Sequence, residues 1–262
     1  HPQNLILPRS LDNESEAKRS LYSFWISPER SGASHGYVAA GGPGLPGASG
    51  LSKEWMRYER PGAMTMRLKD QVAIVTGGAS GIGKETCKLF VDEGATVMIA
   101  DLVSEAAEGL AAELRAQGHK VAALATDVTD IDDAQNLAGA TVSSFGRIDI
   151  LANSAGGSAG PVSKTKYSLF AESSKERWDE MVAPNLYGTL NCTRAGVNHM
   201  IERRSGKVIN FASIAGIIGM RKAAEYSAAK GGIIAFTKTL AKELGQYGIN
   251  VNCVSPGVIG TP

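Results

Sequence analysis

Short, mostly apolar runs alternate with amphipathic stretches from residue 67 onward, and few folds accommodate that alternation. Strand-length runs stand at 72–75, 96–100, 121–125, 148–152, 207–211 and 250–254. Between them, a 3.6-residue period predicts helices over 83–94, 104–117, 130–145, 174–204 and 223–247. A strand apolar on both faces needs cover on both faces, and strand–helix–strand repeats make neighbouring strands parallel. Right-handed crossovers then give an α/β architecture: a doubly wound parallel sheet, the Rossmann fold, in a single domain over 67–262.

Residues 1–66 show no such period. They hold Trp25, Trp55 and a Gly/Pro-rich run at 40–50, and the expectation is a disordered or artefactual N-terminal extension, with Met64 or Met66 as the natural start. Asp12, Glu14, Glu16 and Glu29 argue against a transit peptide. Over the whole chain, 27 Lys and Arg meet 26 Asp and Glu. That balance gives no field to hold nucleic acid or an anionic membrane surface, and no apolar run is long enough to span a bilayer. Cys87, Cys192 and Cys253 are far apart, which suits a reducing cytoplasm. His1, His35, His119 and His199 form no ligand cluster, so no metal is expected.

The run Thr76-Gly77-Gly78-Ala79-Ser80-Gly81-Ile82-Gly83 joins the first strand to the first helix. Glycines permit a tight turn, a close approach of backbone to a pyrophosphate and close helix–strand packing. The helix N-terminus offers free N–H groups to the phosphates. An ordinary Gly-rich turn has the same composition; the strand–turn–helix context favours the phosphate reading. Asp101 ends the second strand, where a carboxylate can accept the ribose hydroxyls and repel a 2′-phosphate. With no Arg or Lys at 77–83 or 102–103, NAD is expected as cofactor over NADP. The alternative for Asp101 is an N-cap of the helix near Ser104.

Tyr226 and Lys230 are four residues apart and so share a helix face. A phenol with an ordinary pKa near 10 is a poor base, and a neighbouring ammonium lowers it. Most Y-x-x-x-K pairs are surface residues. This one follows Ser213, just beyond the 207–211 strand, at the carboxyl end where open α/β sheets bind ligands.

Together these residues resemble the short-chain dehydrogenase/reductase family, over about residues 68–262. Thr76–Gly83 is similar to its T-G-x-x-x-G-I-G loop, which contacts cofactor through Thr76, Gly77, Ser80, Gly81, Ile82 and Gly83. Asp127-Val128 resembles the adenine-contacting pair after the third strand, and Asn153-Ser154-Ala155-Gly156 the N-N-A-G element. Asn185 resembles the catalytic asparagine of N-x-x-G, Ser213 the catalytic serine, and Tyr226 with Lys230 the signature pair. Pro256, Gly257 and Thr261 match P-G-x-x-x-T beside the nicotinamide. The resemblance implies hydride transfer between nicotinamide and a secondary alcohol or ketone, with Tyr226 as general acid/base and Ser213 bound to the substrate oxygen. It also implies that Lys230 lowers the tyrosine pKa and binds the ribose, and that Asn185 positions a water. The alternatives are that Ser213 merely finishes a strand and that Asn185 marks a helix kink.

Three departures stand out. Ser154 replaces the second asparagine of N-N-A-G; Pro184 precedes Asn185 and is expected to kink its helix; and the chain stops at Pro262, so the resemblance implies a C-terminally truncated domain with little turnover of its own. The resemblance is general enough to include 3-oxoacyl-carrier-protein reductases and hydroxyacyl or polyol dehydrogenases. It therefore leaves an NADPH-dependent reduction of an acyl thioester as an alternative to NAD-linked alcohol oxidation. Arg221 and Lys222 suit an anionic carrier or plain solvated surface. A non-catalytic dinucleotide sensor and an inactive fragment are the other readings. The family forms homodimers or homotetramers, and the same is expected of the full-length protein.

Overall fold

The structure is a computed structural model and describes residues 66–157, 167–257 and 259. Strands β1 (Val72–Thr76), β2 (Thr96–Asp101), β3 (Val121–Ala125), β4 (Ile150–Asn153), β5 (Gly206–Phe211) and β6 (Ile249–Val254) form one sheet in the order β3-β2-β1-β4-β5-β6. Every pairing is parallel. Helices α1 (Gly81–Asp92), α2 (Ser104–Ala116) and α3 (Ile131–Phe145) follow the first three strands. Helices α4 (Lys175–Val182) and α5 (Gly188–Arg203) lie between β4 and β5, the short α6 (Ala215–Ile218) follows β5, and α7 (Ala224–Leu244) leads to β6. This is the Rossmann architecture the apolar alternation dictates. The expected extension over 1–66 lies, apart from Met66, outside the described residues.

The side-chain period of two explains the two cores. Ala73 and Val75 of β1, with Val97 and Ile99 of β2, pack against Cys87 and Val91 of α1 and Leu110 and Leu114 of α2. On the other face, Ile74, Met98, Leu151 and Val208 meet Leu137 of α3, Val197 and Met200 of α5 and Leu244 of α7. Local chemistry sets the ends. Asp130 caps α3 by accepting N–H bonds from Asp132 and Asp133, and Gly146 ends it at φ 82°. In β6, Ile249, Val251 and Cys253 are buried while Asn250 and Asn252 are exposed.

Two boundaries differ from the sequence reading for physical reasons. The strand expected at 148–152 is Ile150–Asn153, because Asp149 turns its carboxylate to the main chain at the start of β1. The helix expected over 174–204 is broken: Ala183–Tyr187 is a π turn between α4 and α5. Pro184 has no N–H to give the α ladder, and the one-residue slip absorbs that loss without ending the helix.

At the amino ends of the strands, Asp149 is buried and accepts hydrogen bonds from Val72 N (2.9 Å), Arg147 Nε (2.9 Å) and Nη2 (2.6 Å), and Arg203 Nη1 (3.0 Å). Burial alone would raise its pKa, but these donors together hold it below the usual carboxylate range. The cluster ties β1, β4 and α5 together at the end of the sheet opposite the candidate site.

Candidate active site

All six strands are parallel, so their carboxyl ends share one rim. The chain runs outward from β1 through β2 to β3, then crosses back to β4 on the other side of β1. The reversal between β1 and β4 opens a crevice at that rim, where such sheets bind ligands. The glycine-rich loop and Asn153-Ser154-Ala155-Gly156 meet there. Gly77 has φ 60°, and a Cβ on it would stand 2.8 Å from the Ala155 Cα. A Cβ on Gly83 would stand 2.0 Å from the Gly77 carbonyl oxygen, so α1 approaches the loop as closely as only glycine allows. Thr76 is held on two sides: its carbonyl accepts the Ser154 hydroxyl at 2.8 Å and its hydroxyl accepts the Ala155 N–H at 3.2 Å. Ser154, the departure from N-N-A-G, therefore acts as a clasp between the two loops.

The residues present fit a dinucleotide. Helix α1 starts at Ser80 with no side-chain cap among the described residues and no acid in its first turn, which leaves its first N–H groups for an anion. Asp101 accepts the Ala79 N–H (3.0 Å) on one carboxylate oxygen and the Val103 N–H (3.1 Å) on the other. Val103, not Asp101, occupies the N-cap position of α2, so the capping alternative for Asp101 gives way to a brace across the loop. Asp127 accepts both the Thr129 N–H (2.9 Å) and hydroxyl (2.7 Å) on Oδ1. Val128 packs so closely on the start of α5 that a Cβ on Gly188 would meet it at 2.6 Å. Asn153 is buried; its amide donates to Thr193 Oγ1 and Asn210 Oδ1, both at 2.9 Å, and Asn210 in turn donates to Thr237. Its side chain thus locks β4 to β5 and to the helices beneath.

On the β5 side, four side chains gather. Tyr226, half-buried in the first turn of α7, has the Ser213 hydroxyl near enough to its phenol to act on its acidity. Ser213 also accepts the Ala215 N–H at 3.1 Å, which fixes its hydroxyl at the start of α6. Lys230, one turn beyond Tyr226, is 5% exposed; its Nζ donates to the Phe211 carbonyl at 2.8 Å and stands 5.8 Å from the tyrosine ring centroid. Asn185, fully buried in the π turn, accepts the Gly157 N–H (3.0 Å) and donates to the Gly157 (2.9 Å) and Met181 (2.9 Å) carbonyls. A Cβ on Gly156 would stand 2.6 Å from its Oδ1. A Cβ on Gly216 would strike the Lys230 carbonyl carbon at 2.6 Å, so α6 rests directly on α7. Pro256 joins the group through its carbonyl, which accepts the Ile214 N–H at 3.0 Å, and Gly257 follows it; Thr261 lies outside the described residues.

Burial is the largest influence on both ionisable groups of the signature pair. Burial raises the Tyr226 phenol above its usual value; the Ser213 hydroxyl opposes that and nearby Tyr167 adds to it. Burial also pushes the Lys230 ammonium down to about 8. Sequence reasoning missed the supporting residues Gly216 and Glu225, and the partner of Ser154. Their roles depend on partners distant in the chain, and no local pattern signals them.

Among the described residues, no helix is long and apolar enough to cross a membrane. The family model described as short chain dehydrogenase matches residues 71–262. A 3-oxoacyl-[acyl-carrier-protein] reductase of Thermotoga maritima is 41% identical over 197 residues, covering 75% of this chain and 77% of the reductase. The (2S)-[(R)-hydroxy(phenyl)methyl]succinyl-CoA dehydrogenase subunit of Thauera aromatica is 40% identical over 197 residues, 75% of this chain and 76% of its own. Among solved structures, an NAD+-bound xylitol dehydrogenase superposes with a TM-score of 0.70 at 30% identity, covering 74% of this chain and 72% of that one. The chain belongs to the short-chain dehydrogenase family, a family of oxidoreductases that act on alcohol and keto groups with a nicotinamide dinucleotide.

Proposed function

We propose that this protein is an NAD(H)-dependent oxidoreductase acting on a secondary alcohol or ketone, with Tyr226 as general acid/base. The observation that carries this reading is the placing of Ser213 and Tyr226 together beside buried Lys230, on the rim that holds the glycine loop. The dinucleotide, when bound, supplies or accepts the hydride. Thr76 to Gly83 would cradle its phosphates and Asp101 its adenosine ribose, with Asp127 and Val128 toward the adenine. Ser213 orients the substrate oxygen toward the phenol, and Tyr226 gives or takes the proton at that oxygen. Lys230 holds the floor through Phe211 and, at pH values near 8, exchanges its own proton readily. Asn185 fixes the π turn against the β4 loop, which keeps the Gly156 backbone beside the reacting centre.

Asp101 is the argument for NAD: no Lys or Arg stands at 77–83 or 102–103 to neutralise a 2′-phosphate. The carrier-protein reductase and hydroxy(phenyl)methylsuccinyl-CoA dehydrogenase relatives support a second reading, an NADPH-linked 3-oxoacyl-thioester reductase. Exposed Ile217, Ile218 and Met220, followed by Arg221 and Lys222, offer an acyl chain and an anionic handle a place to lie. A panel of secondary alcohols and 3-oxoacyl thioesters, each tried with both dinucleotides, separates the two. On whichever substrate turns over, Tyr226→Phe is expected to lower kcat by about 10²-fold or more with NADH affinity unchanged. Unchanged kcat would reject Tyr226 as the acid/base and favour a dinucleotide sensor.

A further inference from the structure

Gly216 stands within the four-residue helix α6, between the end of β5 and the start of α7. Its backbone is not left-handed, unlike that of Gly219 at φ 73°, so conformation alone does not call for glycine. In a helix, glycine is less favourable than alanine by about 1 kcal/mol. What an alanine would meet is α7. A Cβ on Gly216 would stand 2.6 Å from the Lys230 carbonyl carbon, 2.7 Å from the Gly231 nitrogen and 2.8 Å from the Lys230 carbonyl oxygen. All three are main-chain atoms, so no change of rotamer relieves the clash. The α7 side of the contact is glycine too, and a Cβ on Gly231 would meet the Gly216 carbonyl oxygen at 3.4 Å.

The same helix holds Ser213 at its entrance. The Gly216 N–H donates to the Ser213 carbonyl at 2.9 Å, and the Ala215 N–H donates to the Ser213 hydroxyl at 3.1 Å. From the other side the chain is tied to β6: the Ala212 N–H donates to the Val254 carbonyl at 2.8 Å and the Ile214 N–H to the Pro256 carbonyl at 3.0 Å. Ser213 is thus held between β6 and α7. Of the two helices, α7 is the fixed one, seated on the sheet through buried Ile233 and Leu244. Helix α6 has exposed Ile217 and Ile218 on its outer side and room to move outward.

We infer that Gly216 is a positioning residue for Ser213 and Tyr226: its missing side chain lets α6 rest on the Lys230–Gly231 backbone, which sets the separation between the Ser213 hydroxyl and the groups α7 carries. The inference rests on the reading of Ser213 and Tyr226 as the reacting pair. Contact distances give the size of the effect. A methyl at Gly216 reaches ordinary van der Waals separation once α6 lifts off α7 by about 0.6–0.8 Å. A misplacement of about 1 Å at a reacting group lowers the rate by about 10²-fold. The glycine loop and Asp101 are on other strands, so dinucleotide binding is spared.

The test is a double-variant cycle with two readouts. On whichever substrate turns over, Gly216→Ala is expected to lower kcat by about 10–10²-fold, with NADH affinity within about twofold of the parent. Placed on Ser213→Ala, the same change is expected to lower kcat by less than about threefold, because the hydroxyl it displaces is already gone. The second readout needs no turnover. With the 7 tyrosines of the full chain labelled at ¹³Cζ and the resonance assigned by Tyr226→Phe, Gly216→Ala and Ser213→Ala should each move the Tyr226 signal. The double variant should leave it where Ser213→Ala does. Gly139→Ala, at a helix position with nothing within 4 Å, should move neither readout. An unchanged kcat, an unmoved Tyr226 resonance, or effects of equal size with and without the Ser213 hydroxyl would overturn the inference. If Gly216→Ala does not bind NADH, Gly231→Val, which presses on the Gly216 carbonyl from the α7 side, replaces it in the cycle under the same criteria. Where nothing turns over, the resonance cycle decides alone. Failure of Tyr226→Phe to lower kcat rejects the acid/base reading, and the resonance cycle judges Gly216 separately from it.

Discussion

Replacing Asp149 by alanine removes the acceptor that joins β1, β4 and α5 at the amino end of the sheet. Val72 N–H then loses its buried partner, which costs about 1–3 kcal/mol. Arg147 and Arg203 also lose a carboxylate, but their side chains are 40% and 32% exposed, so water replaces much of that interaction and each counts for less than about 1 kcal/mol. The sum is about 3 kcal/mol. For a domain of this size each kcal/mol shifts Tm by about 2–4 °C, so Asp149→Ala is expected to melt about 6–12 °C below the parent at pH 7. Asp149→Asn keeps one acceptor for Val72 and should lose about half as much. The sign of the pH dependence follows from the donors around the carboxylate. Its folded pKa is below the unfolded value near 3.9, so the contribution is fully present above about pH 4 and disappears as pH falls through the folded pKa. The Tm gap between parent and Asp149→Ala should therefore close toward pH 2–3. The cluster is at the far end of the strands from the crevice, so NADH affinity measured well below Tm should not change. A Tm within about 2 °C of the parent at pH 7, or a gap that widens in acid, would refute this account.

Gly83→Ala places a methyl 2.0 Å from the Gly77 carbonyl oxygen, so NADH binding should fall below calorimetric detection while the far-UV circular dichroism is retained. Asp101→Ala removes the brace to Ala79 and the charge opposed to a 2′-phosphate; competition titrations should show the NADH-over-NADPH preference falling by about tenfold or more. Lys230 is a case of the opposite sign from Asp149. Burial lowers its pKa from the ordinary 10.5 to about 8, so its charged form destabilises the fold below about pH 8, and that penalty is relieved as pH rises toward 10.5. The Tm of Lys230→Met relative to the parent should therefore be more favourable at pH 7 than at pH 10, and, as a member of the proposed active site, the variant should lose turnover.

What could be read from residues alone was whatever depends on short spacing. The β1–loop–α1 unit follows from an apolar tetrad, a glycine cluster and a helical period in sequence, and the shared face of Tyr226 and Lys230 follows from a separation of four. The interactions that hold these groups in place are long-range. Asn153 reaches Asn210 across 57 residues and Arg177 reaches Glu225 across 48, and nothing in either neighbourhood marks the residues as partners. Pro184 shows the intermediate case. The missing N–H announces a broken ladder, but whether the chain kinks, stops or slips into a π turn depends on what Asn185 finds across from it, which is the Gly157 backbone. The burial of the Tyr226 phenol and of Lys230 was the least legible feature, because it is set by elements distant in the chain.

The most direct test of the account is calorimetric titration of the full chain with NADH and, separately, NADPH. The arrangement of the glycine loop, the uncapped start of α1 and Asp101 predicts micromolar NADH binding, with NADPH at least about tenfold weaker. Tighter binding of NADPH than of NADH, or binding of neither, would contradict the assignment of this crevice as an NAD(H) site.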